Sequence, residues 1–190
     1  MSDNRKRIPR ALIIGSTPWS GSTDAPSRPS WIHTASLLAF SLTYGFVLQS
    51  LPVMQFKDAE NYYTYAADSA IILSRYLEQG FVTVLANEPV WLLVNIGLGL
   101  LTDPETVMRT IVFFSASFFA FHFTRADPKN SVWLMIFLLM PQLLKNFTTH
   151  LRQGLGIAIF FAGYFSHGRF LRWSSMAIAP FIHASFFFII

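Results

Sequence analysis

Arg152 and Gln153 stand at the entrance of an apolar stretch, Thr149-His150-Leu151-Arg152-Gln153-Gly154, in a chain with few charges. A charge at the end of a membrane helix is costly, so it either snorkels to the interface or serves a function. Thr148 and Thr149 are the expected N-caps of a helix starting near Leu151, their hydroxyls accepting its free N–H groups. A helix N-terminus carries about half a positive charge and Arg152 adds a full one, so the placement asks for an anion. Phosphate or pyrophosphate fits, because helix N-termini bind it and a guanidinium grips two of its oxygens. The alternative is a snorkelling arginine, with Gln153 capping a neighbour.

A second candidate is Asn87-Glu88-Pro89, where proline suits a first helical turn and Glu88 precedes it at the edge of an apolar run. A carboxylate held there is either a general acid or base with a raised pKa, or a complement to the helix dipole. Asn95, further along, is placed to hydrogen-bond across helices. Asp58, Glu60 and Asn61 are either a solvated acidic loop or the source of a second carboxylate, with Asp58 the leading member. His183 and Ser185 lie in the last apolar run, where a lone histidine is a satisfied interhelical partner or a site member. His33 and His122 read as interfacial, and Arg109, Arg169 and Arg172 as residues anchoring the cytoplasmic side.

These residues need a scaffold, and composition says which kind. The chain is 53% hydrophobic, 16% aromatic and 13% charged, against about 25% charged in soluble domains. It belongs in a lipid bilayer. Apolar runs cover roughly Trp31–Met54, Phe81–Leu101, Val107–Phe123, Ser131–Leu144, Leu151–Phe165 and Met176–Ile190. The expected fold is therefore all-α, a polytopic membrane helical bundle of about five or six hydrophobic helices. No cysteine is present, which excludes disulfides, thiolate metal sites and a cysteine nucleophile. The histidines are too scattered for a zinc site and no phosphate-binding or dinucleotide motif stands out, so neither metal nor cofactor is expected. The net charge of +4 comes from a basic tail rather than a nucleic-acid surface.

That tail, residues 1–30, is rich in Ser, Pro, Gly and Arg and reads as disordered and cytoplasmic, leaving 31–190 as the transmembrane domain. The final run reaches Ile190 without a closing polar residue, so the chain is expected to be a fragment that continues beyond it. Acidic residues fill the segment after the first span and the turn Thr102–Thr106; basic ones follow Phe123 and Phe165. The positive-inside rule places the basic loops in the cytoplasm, which six full spans do not allow. One segment must fail to cross: Pro89–Leu101, a re-entrant or half-span helix interrupted by Gly97 and Gly99, or Ser131–Leu144, which contains Pro141. Either choice puts Arg152 on the outer side. Between Asp58 and Gly80, Tyr62, Tyr65, Ser69, Ile72 and Tyr76 recur at helical spacing opposite Asp68, Arg75 and Glu78. This is an outer-face interfacial helix or an amphipathic helix packed on the bundle.

Taken in order, Asp58 with Tyr62 and Tyr63, Glu88-Pro89 with Asn95, Arg152-Gln153-Gly154-Leu155-Gly156-Ile157-Ala158, and Ile182-His183-Ala184-Ser185 resemble the EpsG branch of the Wzy-type polysaccharide (O-antigen) polymerases. The resemblance covers roughly Lys57 to Ser185, and the Arg-Gln and His-x-Ser elements are its strongest part. The chain departs from the family in its long polar tail and in stopping where members continue, so as a fragment it is expected to be inactive as it stands. The resemblance implies a bacterial inner-membrane glycosyltransferase that joins oligosaccharide repeat units carried on undecaprenyl pyrophosphate at the periplasmic face, for O-antigen, capsule or exopolysaccharide. Export or chain-length proteins would be its partners. Arg152 would stabilise the departing pyrophosphate, Glu88 would be the first choice of base and Asp58 the second, and Gln153, His183, Tyr62 and Asn95 would bind substrate. The competing readings are a transporter or flippase for lipid-linked sugars and a membrane acyltransferase using His150 or His183.

Overall fold

The computed structural model describes residues 31–166 and 168–188, with the side chain of Phe188 left out. The expected cytoplasmic tail lies outside the described residues. Those residues form helices and connecting turns, with no strand among them: α1 (Trp31–Gln49), α2 (Ala59–Glu78), α3 (Phe81–Ala86), α4 (Pro89–Gly99), α5 (Pro104–Ala126), α6 (Ser131–Phe137), α7 (Pro141–Thr148), α8 (Leu151–Tyr164) and α9 (Arg169–Ile178). Short 3-10 turns at Ala179–Phe181 and Ala184–Phe188 follow.

Among the described residues two helices, α1 and α5, are long and apolar enough to cross a membrane. At 1.5 Å per residue they measure about 28 and 34 Å, close to the ~30 Å of a hydrocarbon core. A third crossing exists if Pro128–Phe137 and Pro141–Thr148, bent by 76° at their junction, count as one span. The expected bundle of five or six hydrophobic helices is thus broken into shorter pieces, and proline is the cause in three places. Pro89, Pro141 and Pro180 lack an N–H and crowd the preceding turn, which divides α3 from α4 and α6 from α7 and ends α9 before Ala179. The last apolar run is therefore not one helix, and His183 sits between its two 3-10 turns. Carbonyls freed at such breaks need partners, and the Tyr44 hydroxyl donates to Leu138 O at 3.0 Å.

Close approach holds the frame together. A Cβ on Gly45 would run into Ser117 and lie 2.6 Å from Phe113 O, so α1 and α5 pack nearly backbone to backbone. Arg109 joins their shared end by donating to Gln49 O and to Leu51 O, the latter at 3.2 Å, while pairing with Glu105 at 2.8 Å. It closes the C-terminus of α1 and lies at the opposite end of α5 from Arg125, not on the side of Arg172 where the sequence reading put it.

Helices α5 and α8 run in the same direction. Thr110 and Ile111 line a cleft with Leu155, Phe119 packs on Phe161, and Arg125 lines a cleft with Tyr164 and Phe165. Two conclusions follow from chain continuity. Residues 52–103 leave and return at one end of the α1–α5 pair, and residues 127–150 carry the chain back along α5 before α8 begins. Of the two segments suspected of not crossing, 81–101 lies within the excursion and the bent 128–148 pair within the return. The helix α2 packs on α4 and α5 through Ala59, Tyr62, Ala66 and Ser69, leaving Asp68, Arg75 and Glu78 exposed. The expected apolar face is correct, and it faces the bundle.

Candidate functional site

The geometry at Glu88 starts with a backbone anomaly. Glu88 adopts φ 55° and ψ 56°, and among the described residues no other non-glycine residue has positive φ. Left-handed backbone at a residue other than glycine costs about 1–3 kcal/mol and persists only where surroundings enforce it. Pro89 disfavours the ordinary helical conformation at the residue before it, which accounts for part of the departure. What the strained conformation achieves is aim: the carboxylate turns into the protein, its side chain only 11% exposed.

Three donors from two distant segments meet it there. Arg152 Nη1 lies 2.6 Å from one oxygen, and His183 Nδ1 and the Ala184 N–H lie 2.8 and 3.0 Å from the other. An ionised carboxylate only accepts, so the hydrogen of the His183 ring resides on Nδ1 and a neutral ring leaves Nε2 as an acceptor. Burial opposes ionisation of Glu88, but the bonds from His183 and Ala184 and the charge of Arg152 outweigh it and hold the carboxyl below its usual value. Glu88 lies in the link between α3 and α4, neither of which is long enough to span.

Aromatic rings fix the other side of Arg152. Its guanidinium stands 5.9 Å above the Tyr62 ring and 5.1 Å above the Tyr65 ring, and both rings meet Trp91 edge-on at 5.8 and 6.4 Å. Cation–π contacts of this kind contribute about 0.5–2 kcal/mol each. Arg152 is thus neither a snorkelling side chain nor a free one. Glu88 engages Nη1, Nε is buried without a partner, and a guanidinium has five N–H donors.

The N-terminus of α8 adds to this. His150 is the N-cap and gives no side-chain cap, whereas Thr148 and Thr149 were expected to do so. Thr148 Oγ1 instead donates to Leu144 O at 2.9 Å. The first-turn N–H groups of α8 are therefore left without a side-chain cap, as an anion site requires. Helix α7 packs tightly behind them, since a Cβ on Gly154 would collide with Asn146 O and reach Phe147 at 3.0 Å.

The remaining expected residues are distributed as follows. Asp58 lies 3.4 Å from His150 Nδ1, each about one-third exposed, so it reaches the α8 entrance without joining Glu88. Tyr62 is buried under Arg152 and supports it rather than offering a face to a sugar. Asn95 is 1% exposed and donates within its own helix to Trp91 O at 2.8 Å, not across helices; its Oδ1 has no partner. Gln153 is half-buried and makes no hydrogen bond through its side chain. Among the described residues no three His, Cys, Asp or Glu side chains gather as metal ligands. Tyr65 was expected only as a face residue of its helix, and Trp91 and the Ala184 N–H were not among the expected site residues. The helical spacing of Tyr62 and Tyr65 carried a signal for the first, and a main-chain donor carries none.

No protein family, curated protein or solved structure matches the chain.

Proposed function

We propose that the chain is a membrane glycosyltransferase of the polysaccharide-polymerase type, acting on oligosaccharides linked to undecaprenyl pyrophosphate at the outer face of a bacterial inner membrane. One observation carries the reading: Glu88, Arg152 and His183, drawn from three segments far apart in sequence, form one connected cluster. In the reaction an acceptor sugar hydroxyl attacks the anomeric carbon of the donor glycan. The bond from that carbon to the pyrophosphate oxygen breaks, the lipid pyrophosphate leaves with the electron pair, and the hydroxyl proton passes to a base.

The geometry supports a division of labour different from the one expected. Glu88, accepting three hydrogen bonds, is poorly placed as the base; it orients His183, whose Nε2 takes the proton. This is the logic of a carboxylate–histidine pair, in which the carboxylate fixes the tautomer and stabilises the imidazolium. The free donors of Arg152 and the α8 N-terminus meet the charge that develops on the pyrophosphate. Asp58 with His150 stands at the same entrance, suited to contacting sugar hydroxyls. Chain-length or export proteins would be partners of such an enzyme.

The test is complementation of a polymerase-deficient strain by the complete gene. Arg152→Ala, and His183→Gln at a cost of about 100-fold or more in rate, should leave single repeat units on the surface glycan. Normal chain length with Arg152→Ala at normal protein level would end the pyrophosphate role. The 76° bend between Pro128–Phe137 and Pro141–Thr148 is a feature a transporter of lipid-linked sugars would share. That alternative predicts loss of exported units altogether.

A further inference from the structure

At the far end of α5 and α8, about 18 Å along α8 from Arg152 by helical rise, a cleft of about 460 Å³ opens between the ends of α5 and α8 and the start of α9. Its polar wall holds Arg125, Arg172, His122 and Tyr164, and its apolar wall includes Leu171 and Phe165. Among the described residues neither arginine has a carboxylate within ion-pairing distance. Asp127, two positions from Arg125, is occupied by Lys129 N at 3.2 Å and Asn130 Nδ2 at 2.7 Å.

Arg172 is anchored rather than loose. It donates to Ser166 O at 2.9 Å, and its backbone is fixed because α9 lies so close to α8 that a Cβ on Gly163 would reach Ser175 Cβ at 2.5 Å and Arg172 O at 3.1 Å. Arg125 rests 5.8 Å from the Phe121 ring centre, and the His122 ring packs edge-on against Phe118 at 4.6 Å. Two guanidiniums without acidic partners, converging on a cleft of ligand size with one apolar wall, form a receptor for an amphiphilic anion.

We infer that this cleft binds a phosphate ester, with Arg125 and Arg172 on the phosphate oxygens and Leu171 and Phe165 against the organic part. The apolar wall and its place at the end of an apolar helix match the headgroup of an anionic phospholipid; a soluble phosphate ester shares the same chemistry. The inference does not rest on the polymerase reading, because none of its residues belongs to the Glu88 cluster.

The experiment uses the full chain in neutral detergent and measures binding of phosphatidylglycerol, phosphatidylcholine, glycerol phosphate and inorganic phosphate by native mass spectrometry and thermal shift. Phosphatidylglycerol should bind and stabilise the protein, and Arg125→Gln with Arg172→Gln should weaken it about ten-fold or more, as loss of charge-assisted hydrogen bonds requires. The charge-matched pair Lys57→Gln with Arg75→Gln should retain wild-type binding. Arginine-dependent binding of phosphatidylglycerol alone identifies a lipid site, and arginine-dependent binding of glycerol phosphate as well identifies a general phosphate-ester site. Unchanged affinity in the double arginine variant, or equal loss in the charge-matched control, overturns the proposal. A variant with both positions as lysine separates folding from recognition: it keeps the charges, and partial binding is expected because the planar fork is gone.

Discussion

Replacing Glu88 with glutamine keeps the shape of the side chain and removes its charge, and the surrounding donors make the outcome predictable. In the wild type both oxygens accept, one from Arg152 at 2.6 Å and the other from His183 and Ala184 at 2.8 and 3.0 Å. Glutamine has one acceptor end and one donor end. Whichever way the amide is turned, its NH2 faces a donor. If it faces Arg152, a charge-assisted bond worth about 1.5–3 kcal/mol is lost; if it faces Ala184, the oxygen left for Arg152 is neutral. Removing one partner of a buried pair costs about 3–5 kcal/mol, and the 30% exposure of the Arg152 side chain reduces this. A loss of about 2–3 kcal/mol is expected for Glu88→Gln, or roughly 4–12 °C in midpoint for a chain of this size. Unfolding in detergent of wild type, Glu88→Gln, Arg152→Met and the double variant gives the coupling energy, expected above about 1 kcal/mol. A coupling near zero with both single variants stable would refute the claim that these side chains form one unit.

Three further outcomes are expected. Because the folded pKa of Glu88 lies below its usual value of 4.5, its ionised form adds stability that is complete above that value and is lost as the pH falls through the lower, folded one; denaturation series in acid should show the gap between wild type and Glu88→Gln closing there, and a constant gap would oppose it. Gly154→Ala should destabilise by about 1–3 kcal/mol through overpacking against α7, whereas Gly97→Ala, whose new Cβ meets nothing within 4 Å, should be neutral or gain up to about 1 kcal/mol in helix propensity; equal effects in thermal unfolding would count against the packing described. Single cysteines at Thr102 and Thr149, introduced into a chain that has none, should react with an impermeant reagent from one side of the membrane and a cysteine at Lys129 from the other, and opposite sidedness for the first two would contradict the parallel course of α5 and α8.

The sequence alone determined the chemistry on offer. Low charge and apolar runs gave helices and a membrane setting, because backbone groups in lipid must be satisfied within the segment. Helical spacing marked the packed face of α2, the positions of Pro89 and Pro141 foreshadowed the breaks at 87–88 and 138–140, and Glu88, Arg152 and His183 stood out as polar residues in apolar surroundings. What it could not give was their partnership. Glu88 and His183 are separated by 95 positions and Glu88 and Arg152 by 64, and nothing local encodes which distant donor a buried carboxylate will meet. Only the tertiary structure decided that Glu88 is held by His183, Ala184 and Arg152 together, because desolvation makes a buried charge depend on whichever donors the packing of α4, α8 and the last turns brings within reach. The course of 127–150 was decided in the same way, since a proline announces a bend but the contacts of α8 with α5 fix where the chain must return.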